Sequence, residues 1–258
     1  MTIHGCRLKS FIRCVVLLCL FTSGAITASA YETTTVSNGG TVTGTVQFTG
    51  DPPPPTAFEL RRYPDRDYCG ALSDGSGYRF LREVSVGPEQ GLKDVIVTIQ
   101  GIDKGKPFEF EETNLETNIC QFVPFVSVMR DQHPLVVKNL DSVSHDLQIY
   151  EREWEHIFIM FHRPALIKEG TRDVIRFTGN RRGVIMQCGM HAYMQGHGLA
   201  VENPYYAITG LEGTFAIKDL PAGTYRIKAW HPILGEHAQD VTVAANGTAS
   251  LDFSFKAK

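Results

Sequence analysis

The sequence has no excess of basic residues: Lys and Arg total 25 against 28 Asp and Glu, a net charge of −3. A phosphate-backbone binder needs a cationic face, so the composition argues against nucleic acid as a partner. Cysteine is scarce, at six in 258 residues, and tryptophan scarcer still, at two. Beyond residue 30 no apolar run approaches the roughly 20 residues that a membrane helix requires. No H-E-x-x-H, G-x-S-x-G or P-loop pattern occurs, and Gly105-Lys106 runs straight into Pro107. These absences remove the common hydrolase and nucleotide-binding classes, and the expectation is a protein that is not an enzyme.

The first thirty residues read as an export signal. Arg7, Lys9 and Arg13 form a basic start, Cys14 to Phe21 an apolar stretch too short to span a bilayer, and Ala28-Ser29-Ala30 a small-residue cleavage site. Leu18 stands before Cys19 where a lipoprotein signal wants a small residue. The expected mature chain is periplasmic or secreted and begins near Tyr31. Losing three positive charges and no negative one takes it to about −6. Cys6, Cys14 and Cys19 leave with the signal, so Cys69, Cys120 and Cys188 remain. In an oxidising compartment two of three can pair; the third is free, intermolecular or a metal ligand.

Almost every periodic segment alternates with period two. Thr41–Thr49, Asp94–Gln100, Leu135–Leu140, His145–Tyr150, Asp173–Phe177 and Gly183–Cys188 are short and rich in Val, Ile, Phe and Thr. Tyr205–Thr209, Thr214–Lys218, Thr224–Trp230 and Leu251–Phe255 follow the same pattern, separated by Gly, Pro, Asn and Asp. Only Ala57–Arg62 and parts of 153–170 suit a helical turn, and 63–92 reads as polar loop. The expectation is all-β. A change of texture at Asn203-Pro204 places a boundary there, giving a front domain over 31–203 and a tail over 204–258. The tail is short for a self-sufficient sandwich and is expected to pack on the front, borrowing a strand from 40–50.

The densest cluster of donors is Met186-Gln-Cys188-Gly-Met190-His191-Ala-Tyr-Met194-Gln-Gly-His197. Cys188, His191 and Met194 make C-x2-H-x2-M, a thiolate, an imidazole and a thioether on one tight loop. Two histidines, one cysteine and a weak axial methionine are the usual copper set. A fourth donor sits upstream in Leu135-Val-Val-Lys-Asn139-Leu-Asp141-Ser-Val-Ser-His145, where a strand ends in an Asn/Asp/Ser turn and His145 opens the next. Met186 and Met190 read as packing residues, and His162 as a surface residue. His197 admits ligation, a supporting role or simple exposure. Glu151, Glu153 and Glu155 alternate as on a solvated strand face rather than as an acid–base pair, and Asn246-Gly reads as a hairpin turn. Cys188-x-x-His191 lacks the second cysteine of a haem-attachment motif.

Taken together, "VVKNLDSVSHDL" and "CGMHAYM" resemble the copper-binding cupredoxin pattern. The short C-x2-H-x2-M is similar to secreted bacterial plastocyanin-like proteins, some labelled methylamine utilisation proteins, with Tyr193 where that group usually has Trp. Pro204-Tyr-Tyr-Ala-Ile-Thr-Gly, Glu212-Gly-Thr-Phe, Leu220-Pro-Ala-Gly-Thr-Tyr and Ala229-Trp-His-Pro resemble that group's carboxypeptidase-regulatory-like tail. The resemblance implies a cupredoxin-like Greek-key β-sandwich followed by a small transthyretin-like β lobe. It also implies one copper per chain at His145, Cys188, His191 and Met194, and one-electron exchange between Cu(I) and Cu(II) with a redox partner protein. A copper carrier or store and a metal-free binding sandwich are the competing readings. Cys69 and Cys120, both in loop-like sequence, are expected to pair; pairing of either with Cys188 is the alternative and would abolish the site. A backbone N–H of the Asn139 turn is expected to reach the thiolate. Trp230 is expected to be buried, with His231 on the opposite face and structural.

Overall fold

Strand alternation becomes two stacked β-sandwiches in a computed structural model that describes residues 31–130, 132–153, 156–162, 169–170, 172–176 and 183–257. Glu155, in the acidic alternation noted above, lies outside them. One sandwich carries the candidate site. Its larger sheet runs His156–His162, Leu147–Glu153, Gly183–Cys188, Gln195–Val201, Val126–Arg130. Its partner sheet runs Arg172–Arg176, Pro134–Asn139, Thr113–Thr117, Phe122–Val123. Between them lie Leu115, Leu135, Val137, Leu147, Ile149, Val184, Met186 and Cys188. Each sheet has one parallel pairing, Pro134–Asn139 with Thr113–Thr117 and Gln195–Val201 with Val126–Arg130. Non-adjacent segments therefore meet at one end of the sandwich.

The second sandwich holds the tail together with two upstream strands. Gly40–Thr49 pairs with Thr214–Leu220 and, in parallel, with Thr248–Ser250 and Phe253–Lys256. Ile96–Gln100 is hydrogen-bonded between Tyr206–Ile208 and Gly223–His231. The tail alone has too little apolar surface. Val42, Val46, Phe48, Val97 and Ile99 supply the rest of the core around Phe215, Ile227 and Phe253. Ile96, Val126, Val128, Leu199 and Val201 form a third cluster that joins the two sandwiches.

Glycines fix two details. Gly213, at φ +67, closes the turn after Tyr206–Ile208, and a Cβ there would lie 2.2 Å from the Val46 carbonyl. Gly196 and Gly198 hollow out Gln195–Val201, where a Cβ would meet Phe122 and Met129. That strand has Val201 as its one strong β-former and carries no alternation signal in the sequence. The segment 56–81 is more ordered than its polar composition indicates. It forms a hairpin of Thr56–Glu59 with Tyr78–Leu81, and a single helical turn, Arg66–Cys69, lies within it.

Trp230 corrects one expectation. Alternation along Gly223–His231 sends Ile227, Ala229 and His231 into the tail core and leaves Trp230 half-buried against the joining cluster. His231 is fully buried, and its Nδ1 accepts the amides of Ile233 and Leu234 at 3.2 and 3.3 Å. It caps a turn.

Candidate metal centre

Leu147 pairs with Cys188 across the antiparallel strands, so the loop before Leu147 and the end of Gly183–Cys188 share one edge of the sandwich. Asn139 shapes that loop. Its side-chain carbonyl accepts the Asp141 amide at 2.9 Å and the Thr117 hydroxyl, and its amide donates to the Val143 carbonyl at 2.8 Å. These bonds turn Asp141 inward, where it is fully buried. Asp141 Oδ2 accepts His145 Nε2 at 2.8 Å and the Cys120 amide at 3.0 Å; Oδ1 accepts the Ile119 amide at 2.5 Å and the Tyr68 hydroxyl at 3.0 Å. Burial pushes this carboxyl up, but the His145 bond and the other donors outweigh it and leave it below the usual range.

With Nε2 held by Asp141, the Nδ1 of His145 faces Cys188 Sγ at 3.8 Å. His191 Nδ1 approaches the same sulfur at 3.6 Å. The donor atoms of His145, Cys188 and His191 lie within 4.8 Å of one another, and all three side chains are fully buried. Met194 is also fully buried. Its carbonyl accepts the Cys188 amide at 3.0 Å and its amide donates to the His191 carbonyl at 2.8 Å, tying the C-x2-H-x2-M loop to itself. The structure thus brings the two histidines and the cysteine to one point and seats Met194 in the apolar cluster beside them.

The electrostatics suit a thiolate. Burial alone would raise the Cys188 thiol. Hydrogen bonds from His145 and His191, and from the amides of Met190 and Asp146, overcome this and pull it down to about 6. Burial likewise disfavours a charged His145, but Asp141 and the Cys188 thiolate hold its pKa up at about 9. The amides that reach the sulfur belong to Met190 and Asp146. The Asn139 turn, expected to supply one, instead builds the loop that carries Asp141.

Cys69 and Cys120 are joined as a disulfide, and Cys188 is a free buried thiol. The disulfide lies against the site, with Cys69 Sγ 3.7 Å from His191 Nε2. Cys120, Asp141 and His145 also cluster, but the Cys120 sulfur is spent in the disulfide. Buried Arg79 donates to the carbonyls of Cys69 at 2.5 Å and Ile119 at 2.8 Å, clamping both sides of the bridge. The sequence reading missed Arg79 and Tyr68. Tyr68 beside Cys69 is the sole trace of this support, and nothing in the local pattern singles out Arg79. His197 is buried away from this cluster, edge-on to Phe125 at 5.1 Å; Met186 lies in the core. His162 is exposed and faces Asp146 at 3.3 Å.

A buried thiolate with two imidazole nitrogens aimed at it fits a copper ion. The donors are of the right softness, they are fixed by the fold, and one imidazole gives its outer nitrogen to a carboxylate, the usual arrangement behind a ligating histidine.

No protein-family model and no curated protein matches the chain. Several solved structures overlap part of it. A copper-containing nitrite reductase from Thermus scotoductus is 20% identical over 38% of this chain, with a TM-score of 0.30; the match spans 24% of that enzyme. A purple cupredoxin from Nitrosopumilus maritimus is 15% identical over 36% of this chain and all of its own, with a TM-score of 0.30. Amicyanin from Paracoccus versutus is 12% identical over 41% of this chain and 97% of its own, with a TM-score of 0.29. The overlaps are partial, and the donor geometry carries the functional reading. No helix among the described residues is long and apolar enough to cross a membrane.

Proposed function

We propose that this protein is a mononuclear copper protein that carries single electrons. Cys188 Sγ and the Nδ1 atoms of His145 and His191 would hold the metal, with Met194 as a weaker fourth donor. The observation that carries the reading is the convergence of three fully buried donor atoms within 4.8 Å. Bound there, copper supplies a one-electron couple between Cu(I) and Cu(II). The chain's contribution is to keep the ligands in place in both states, so that little energy goes into rearrangement. Asp141 orients His145, the Cys188–Met194 and His191–Met194 backbone bonds hold the loop, and the disulfide cover excludes water.

Full burial favours electron carriage over copper delivery. A carrier that hands its metal on needs ligands within reach of the recipient, and every donor here is enclosed. A metal-free binding sandwich would have no use for a free buried thiol with two imidazole nitrogens aimed at it. In this reading the chain is exported, residues 1–30 are a cleaved signal, it is not an enzyme, and its partner is a redox protein.

Addition of Cu(II) to the oxidised protein should produce an intense thiolate-to-copper absorption band, at one copper per chain by metal analysis. Cys188→Ser should abolish the band. A Cys188→Ser protein with an unchanged copper spectrum would refute the assignment.

A further inference from the structure

The outer edges of both imidazoles are covered, so the site has no exposed ligand through which to trade electrons. His145 and His191 are both fully buried; Cys69 and Asp65 of the segment 56–81 cover the outer nitrogen of His191, and Asp141, itself bonded to Tyr68 of that segment, covers that of His145. Each contact leads outward to the same place. From His145 Nε2 the hydrogen-bonded path runs 2.8 Å to Asp141 and 3.0 Å on to the Tyr68 hydroxyl. From His191 Nε2 the carboxylate of Asp65, one-third exposed, lies 3.7 Å away. From the His191 ring a chain of ring contacts runs 5.6 Å to the tilted Tyr193 ring and 5.2 Å, edge to face, on to half-buried Tyr63. Tyr63, Asp65, Arg66, Asp67 and Tyr68 line one surface cleft of about 480 Å³.

We propose that this cleft is the face through which the site exchanges electrons with a partner protein's redox centre. The inference rests on the copper reading above. One electron leaves the partner's centre, which is oxidised by one unit, and the site is reduced by one; no bond is broken and no proton has to move. Tyr193 serves as a bridge and is not itself oxidised. Its hydroxyl is buried and has no hydrogen-bond partner among the described residues, so nothing stands ready to take its proton. The Arg79 guanidinium sits 4.7 Å over the ring, where its positive charge disfavours loss of an electron.

The charges of the cover cancel. Glu59, Asp65 and Asp67 stand against Arg61, Arg62 and Arg66, with both Arg61 and Arg62 paired to Glu59 and Arg66 to Asp67. A face with two tyrosines among exposed charges of both signs fits a partner with a polar rim of mixed sign around its redox centre, not one strongly charged of a single sign.

The test uses the copper-loaded full chain, with hexacyanoferrate(III) as oxidant and hexaammineruthenium(II) as reductant in stopped flow. Tyr63→Leu should slow both reactions several-fold at an unchanged midpoint potential and thiolate band, and Tyr63→Phe should restore the rate. If Tyr63→Leu folds poorly, Asp67→Cys alkylated with a bulky maleimide blocks the cleft without touching the core. The same adduct on Glu212→Cys, remote from the cleft, is the control. Slowing at position 67 and none at 212 supports the cleft. Equal rates for the two adducts, or an unslowed Tyr63→Leu, overturn it with the copper reading intact. Absence of the thiolate band in the unsubstituted protein overturns both.

Discussion

Metal binding should displace one proton near neutral pH, and the count follows from the Cys188–His145 pair. Cys188 is held down at about 6, against roughly 8.5 in an unfolded chain. Its contribution to stability is complete above about 8.5 and is lost as pH falls through about 6. His145 is held up at about 9, against roughly 6.5 unfolded. Its contribution is complete below about 6.5 and is lost as pH rises through about 9. Between these limits the folded pair holds one proton, on the imidazole, and the unfolded chain also holds one, on the thiol. The pair's linkage therefore cancels, and metal-free stability should be flat between about pH 6.5 and 8.5. Coordination requires a bare Nδ1, so copper must expel the His145 proton. At about pH 7.5 binding should release one proton from the pair, and affinity should rise about tenfold, or 1.4 kcal/mol, per pH unit. Near pH 5 the thiol is also protonated and the pair's share of the count should be about two. Titration calorimetry in buffers of different ionisation enthalpy measures the number directly. Release of two protons at about pH 7.5 would show a neutral thiol, and release of none a neutral imidazole; either would refute the ion pair.

Asp141→Asn replaces a buried carboxylate that accepts four donors; it should cost about 3–5 kcal/mol of metal-free stability by urea unfolding, and an unchanged midpoint would count against the buried charge pair. Cys69→Ser with Cys120→Ser opens a bridge spanning 51 residues. By chain entropy that should cost about 4 kcal/mol. It should also speed alkylation of Cys188 in the metal-free protein, and equal alkylation rates would show that the disulfide does not secure the cover. His231→Ala removes a fully buried turn cap and should cost about 2–3 kcal/mol, measured by thermal unfolding, with copper stoichiometry unchanged. Loss of copper in that variant would mean the two sandwiches share the site.

Local pattern and composition determined a good deal. Val, Ile and Thr alternation bounded by turn residues placed Gly183–Cys188 to the residue and most of the other strands it named to within one or two positions, because side-chain period follows directly from the pleat; strands such as Thr113–Thr117, Val126–Arg130 and Gly235–Val243 it did not name. The same logic puts C-x2-H-x2-M at a strand end on one loop, where a thiolate, an imidazole and a thioether are covalently bound to be neighbours. It failed wherever structure depends on distant partners. Gln195–Val201 carries two glycines against which Phe122 and Met129 pack and pairs with Gly183–Cys188 and Val126–Arg130, and Ile96–Gln100 pairs with strands of the tail more than a hundred residues on. The approach of His145 to Cys188, 43 residues away, depends on strand register. That Asp141 turns inward to hold His145, and that a disulfide clamped by Arg79 lies against His191, was decided in tertiary structure. The disulfide joins residues 51 apart and Arg79 reaches both its flanks; Asp141 lies only four residues before His145, but the inward turn that brings the two together depends on Asn139 bonding Thr117 on a neighbouring strand.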